Sequence, residues 1–336
     1  MHRVRPFLAA LALAVGVVPA RPGLTQAPAA APTSAGTQAA VPAGPRPAER
    51  IKSLDPTTDG VEVAAWHYPP PEGVTPLATV LIVHELGGSH RTVEPLAKAL
   101  QAGGCTVVAA DLRGHGDSTL PNASAGESDP AKRLRPKDFE MIAASAEGRM
   151  RDQAGVRGDI ECLRSWIKRS TDAGKLPRAP LYVVGSGLGA LLASAWTIAD
   201  ASWPDIASGP QGREVAGLVF VSPPFVAKGL KIAPLLASEP IGRTLPVMVV
   251  AGQGDREATK VFDQLKRQRQ GSWYDSRFPP GEARNASPVP AAEASALMFT
   301  VPTDRSGDAL AATRAARGDP ASLILAFLKL KQAEEP

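Results

Sequence analysis

Short runs of Val, Ile, Leu and Ala, each followed by a stretch with helical spacing, recur along most of this chain, and they constrain its fold more than any other feature. Val61–His67, Val80–His84, Thr106–Asp111, Leu181–Val184, Leu218–Ser222, Val247–Ala251 and Leu297–Val301 read as strands. Between and after them Thr92–Ala102, Arg157–Arg169, Gly189–Ala199, Glu257–Gln268 and Pro320–Lys331 read as helices, the first with its apolar positions at Val93, Leu96, Ala97 and Leu100. Strands that are apolar on both faces and alternate with helices predict a mostly parallel sheet covered on both sides.

The first 50 residues differ in kind. Arg3 and Arg5 precede an uncharged apolar run from Phe7 to Val18, and Val18-Pro19-Ala20 offers small residues at a cleavage position. This is the layout of a signal peptide over residues 1–20, too short to span a bilayer comfortably, so an exported protein is expected, with no transmembrane segment after cleavage. Residues 21–50 are Ala, Pro, Gly, Thr and Gln with almost no large apolar side chain, and are expected to be a disordered tether. The folded domain is expected over 51–336.

Charge follows the same division. The whole chain has 37 Lys+Arg against 33 Asp+Glu, and the first 50 residues, with five arginines and only Glu49, hold the entire excess of +4. The domain itself is neutral, which removes the nucleic-acid reading that a pI of about 9.1 invites. The two cysteines, Cys105 and Cys162, sit among apolar neighbours and read as buried small side chains. No Cys/His spacing suggests zinc, and neither a metal nor a cofactor is expected.

Three motifs stand at strand ends. Val80-Leu-Ile-Val-His84-Glu85-Leu-Gly87-Gly88-Ser89 is a strand entering a glycine loop. Val107-Val-Ala-Ala-Asp111-Leu-Arg113-Gly114-His115-Gly116-Asp117-Ser118 is a strand entering a Gly-His-Gly turn. Leu181-Tyr-Val-Val-Gly185-Ser186-Gly187-Leu188-Gly189 is a strand, a glycine turn and a helix start. Together they resemble the α/β-hydrolase family over about residues 60–330, which implies a serine nucleophile at the centre of a Gly-x-Ser-x-Gly elbow, followed in chain order by an acid and a histidine.

The residues that the resemblance aligns with those roles do not supply them. Gly185 and Gly189 align with the flanking glycines, so Gly187 occupies the nucleophile position, and Ser186 lies one residue off the apex. The acid position aligns with Asp255, which equally suits a cap for the helix beginning near Glu257. The base position aligns with Ser306, and no histidine occurs anywhere from Gly116 to Pro336. Without a nucleophile and its base, serine hydrolysis loses many orders of magnitude in rate.

The expectation is therefore a hydrolase-like pseudoenzyme without a large cap domain, binding a small ligand or an envelope protein through a cleft near His84, Glu85, Gly187 and Leu188. The alternative is an active hydrolase on esters or peptides that uses His84 as a rearranged base, although His84 equally reads as a brace for its own loop.

Overall fold

The computed structural model describes residues 46–118, 120, 134–146, 155–205, 207, 211–281, 283–314 and 318–333. The predicted signal peptide and nearly all of the predicted tether lie outside them. The tether's last residues are the exception: Glu49–Arg50 form an edge strand, β1, paired antiparallel with β2 (Ala64–Tyr68). The sheet thus takes in two residues before Ile51, because backbone pairing along a sheet edge does not need apolar side chains.

After β2 come β3 (Thr79–Val83), α1 (His90–Ala102), β4 (Thr106–Asp111), α2 (Pro136–Ile142) and the short ribbon β5 (Ser145–Ala146) with β6 (Val156–Arg157). Next are α3 (Asp159–Asp172), β7 (Leu181–Ser186), α4 (Leu188–Ala201), β8 (Val215–Val221) and the hairpin β9 (Val226–Ala227) and β10 (Leu230–Lys231). The chain continues through α5 (Ile232–Ala237), a π-helical turn (Pro240–Thr244), β11 (Val247–Gly252), α6 (Arg256–Gln268), β12 (Trp273–Asp275), β13 (Ala296–Val301), α7 (Gly307–Ala311) and α8 (Pro320–Gln332).

Nine strands form one sheet in the order β1-β2-β4-β3-β7-β8-β11-β13-β12. β2 runs antiparallel to β4, and from β4 onward neighbours are parallel. After β3 the chain steps first to one side, to β4, and then to the other, to β7. The carboxyl ends of β3 and β7 therefore flank the switch point at which open α/β sheets bind ligands.

Alternation along each strand feeds two cores. Leu81, Val83, Val183, Leu218, Phe220 and Val249 pack on one face with Leu191 and Trp196 of α4 and Phe262 of α6. Val80, Ile82, Val184, Val219, Val221 and Val250 pack on the other with Leu96 of α1 and Ile324 and Phe327 of α8. Since both faces are covered, the strands carry no polar alternation, which is why they read as unbroken apolar runs.

Every strand and helix read from periodicity is present, with ends displaced by up to a few residues. Several elements were invisible to that reading. α2 lies between the predicted strand Thr106–Asp111 and the predicted helix Arg157–Arg169, and β12 between the predicted helix Glu257–Gln268 and the predicted strand Leu297–Val301; the latter is three residues of edge strand, too short for a period to register. Among the described residues no helix is long and apolar enough to cross a membrane.

Candidate active site

The elbow is built as its glycines require. β7 ends at Ser186, and Gly187 turns the chain into α4 with φ +51° and ψ −124°, its N–H donating to the Val221 carbonyl at 2.9 Å. A Cβ at Gly185 would lie 2.4 Å from the Ala190 backbone, and one at Gly189 would lie 2.3 Å from the Val83 carbonyl oxygen. Both flanking glycines are therefore needed for the strand and helix to approach so closely. Gly187 needs its glycine for a different reason, the left-handed φ, which strains any side-chain-bearing residue.

Gly187 is the apex, and what lies in front of it is the side chain of Glu85. A Cβ built on Gly187 meets the Glu85 Cβ at 2.8 Å and its Oε2 at 3.0 Å. The second glycine aimed at the same carboxylate is Gly307, φ +53°, whose Cβ would lie 1.9 Å from Glu85 Oε2. Ser306, aligned with the base position, is exposed and precedes α7 as its N-cap residue, and it is Gly307, one place further on, that faces Glu85. One carboxylate thus fills the space onto which Gly187 and Gly307 both open.

The loop that would carry an oxyanion-binding N–H is also occupied. The Glu85 N–H donates to Asp308 Oδ1 at 3.1 Å, and the other oxygen of Asp308 accepts from the Thr92 hydroxyl. Asp308 is buried, and it ties the loop after β13 to the loop after β3. Burial, reinforced by the negative charge of Asp308, raises the Glu85 pKa above the usual carboxylate range. Among the described residues no cation pairs with Glu85.

His84 is not in the cleft. It is completely buried, its Nε2 accepts the Leu112 N–H at 3.0 Å, and its Nδ1 faces the Glu85 carbonyl at 2.7 Å. Acceptance at Nε2 leaves the proton on Nδ1, so the ring is a neutral brace with both nitrogens spent on backbone. Burial and the neighbouring His115, whose ring lies 4.9 Å away, lower its pKa to about 4. His115 holds the same loop from below, accepting the Gly87 N–H at 3.0 Å. The sequence expectation that His84 lines a ligand cleft is corrected accordingly.

The remaining candidates separate as well. Leu188 is buried and packs into the core, so its side chain does not face the cleft. Ser186 is wholly buried, and its Oγ has no partner among the described residues. Asp255 caps α6, accepting the Ala258 N–H at 2.9 Å. In the Gly-His-Gly turn, buried Arg113 holds Asp159 through Nε and Nη2, at 2.9 and 2.7 Å, and Asp59 at 2.6 Å. Sequence reasoning assigned Arg113, Asp308 and Thr92 no role. Only residue 308, in the loop where a base was sought, had a positional hint.

The aromatic side chains Trp203, Trp273, Phe225 and Tyr274 are packed against neighbouring groups. Trp203 donates to the Ser145 hydroxyl at 3.1 Å beneath the Arg164 guanidinium, and Trp273 lies edge-on to Phe262. Phe225 packs against the core and Tyr274 against Phe299. Among the described residues no cluster of three or more His, Cys, Asp or Glu is arranged to hold a metal.

The sheet order, the switch point and the glycine-flanked elbow define an α/β-hydrolase architecture. The alpha/beta hydrolase family model matches residues 80–330, and the chain belongs to that family. No curated protein matches it. Among solved structures, one of two esterases from Rhizomucor miehei aligns at a TM-score of 0.50 with 14% identity, covering 86% of this chain and 84% of that one. The Pyrococcus furiosus esterase Pf2001 aligns at 0.49 with 15% identity, covering 86% and 97%. Dienelactone hydrolase from Anabaena variabilis aligns at 0.48 with 13% identity, covering 85% and 98%. At such identities the likeness is one of fold.

Proposed function

We propose that this domain keeps the hydrolase fold for binding and has given up serine hydrolysis. The observation that carries the reading is the Glu85 side chain, which fills the volume onto which both Gly187 and Gly307 open. An acyl-transfer site needs a nucleophile, a base within hydrogen-bond reach of it and donors free to meet the oxyanion. Here the first two positions lack side chains, and the Glu85 N–H is committed to Asp308. What the site presents instead is a half-buried carboxylate without a cationic partner among the described residues, suited to a ligand that donates hydrogen bonds.

The rearranged-hydrolase alternative draws no support from His84, since neither ring nitrogen is free to accept a proton from a nucleophile. An alkyl fluorophosphonate probe tests the choice. The purified protein is expected to remain unlabelled at concentrations that saturate an authentic serine esterase. Stoichiometric labelling at one serine, or ester turnover that falls in His84→Ala, overturns the proposal.

A further inference from the structure

At the opposite edge of the sheet from Glu85 and Gly187 lies a cavity of about 490 Å³ that plays no part in the elbow. β2 runs antiparallel to β4, so His67, paired with Val108, sits toward the strand starts. We infer that this cavity is a second binding site, for a neutral, flat, largely apolar molecule carrying a single hydrogen-bond donor.

Its walls argue for shape and polarity. Pro69 and Pro70 follow β2 and are buried, Leu176 closes the end beyond α3, and Trp166 and Ser170 stand one turn apart on α3. Positions i and i+4 share a helix face, so the indole and the hydroxyl look into the same space. Proline rings and an indole form a rigid apolar surface that suits a planar partner and loses little entropy on binding. The volume is within the range of about 300–1,000 Å³ usual for small-molecule sites.

One polar group in this wall is left over. His67 is 8% exposed, and its Nε2 is closed from solvent with no hydrogen-bond partner among the described residues. A buried ring nitrogen without a partner is uncommon and destabilising. The ring packs 5.6 Å from Trp166, so a molecule lying against the indole brings its own N–H or O–H to the imidazole edge.

Charges around the mouth do not select an ion. Arg46 and Lys175 are balanced by Glu49 and Glu72, and Arg46 already pairs with Glu49. Burial keeps the His67 pKa below its usual value despite Glu49, which favours the neutral imidazole; with the proton on Nδ1 its Nε2 is the acceptor that the proposed ligand meets.

N-phenyl-1-naphthylamine is the appropriate probe, being neutral and flat, with one N–H and an emission that rises in apolar surroundings. Titration of the full domain is expected to saturate at one site per chain. Relative to wild type, His67→Phe should weaken binding about tenfold, the loss of one buried hydrogen bond worth about 1.4 kcal/mol. Trp166→Ala and the cavity-filling Ser170→Leu should weaken it at least as much, with urea unfolding used to establish that each variant is folded. No saturable signal with wild type, or dissociation constants in folded His67→Phe and Trp166→Ala within about twofold of wild type, overturns the inference.

Discussion

Glycine at position 187 adopts its left-handed φ without strain, and the Glu85 side chain occupies the space in front of it. A serine there would carry a Cβ at φ +51°, 2.8 Å from the Glu85 Cβ. Gly187→Ser is therefore expected to destabilise the domain by about 1–3 kcal/mol. Glu85→Gly in the same chain should recover the part that comes from the collision, leaving the part that comes from φ. Urea unfolding of the two single variants and the double variant measures this as a coupling energy, expected to lie above about 0.5 kcal/mol. Strict additivity would mean that Glu85 does not fill the space in front of the elbow. A glycine at the apex was legible in the order Gly185-Ser186-Gly187-Leu188-Gly189, and the close packing at both flanking glycines fixes which residue that apex is. The role of Glu85 was not legible, since nothing near it in the sequence says that residues 187 and 307 face it.

At the scale of elements, side chains in the loops after β3, β11 and β13 hold neighbouring backbone in place. Asp255 is the clearest case: it accepts the Ala258 N–H and starts α6. Asp255→Ala should cost about 1 kcal/mol of stability, the usual worth of a lost helix cap, and leave probe binding at the His67 cavity unchanged. A change of less than about 0.2 kcal/mol in urea unfolding would deny the cap its role. The long elements were readable because apolar spacing reports which faces are buried. α7 and β12 were not, since five and three residues give no period, and packing on neighbouring elements holds them.

Over the whole molecule, buried titratable groups make stability depend on pH in opposite senses. The His84 pKa falls from about 6.5 in an unfolded chain to about 4 in the fold, so the unfolded state takes up a proton first as the solution is acidified. The stabilisation that neutral His84 provides is complete above about pH 6.5 and is lost as the pH drops toward 4. Asp200 behaves conversely: burial raises its pKa to about 6, the folded state binds the proton first, and its contribution grows as pH falls below 6. His84→Gln should thus flatten the decline of the urea midpoint between pH 6.5 and 4, and Asp200→Asn should steepen it. Like-signed changes in the two variants would contradict these assignments.

The sequence by itself determined the layered architecture and the want of a triad base. Burial on both faces of a sheet demands continuous apolar strands, and no folding can place a histidine where the chain from Gly116 onward has none. Tertiary structure alone decided what fills the space in front of the elbow. The meeting of Glu85 with Gly187 and Gly307, the grip of Asp308 on the Glu85 N–H, and the engagement of both His84 nitrogens join segments far apart in the chain. Such contacts depend on strand register and on the direction of each Cα–Cβ bond, which local residue patterns do not encode.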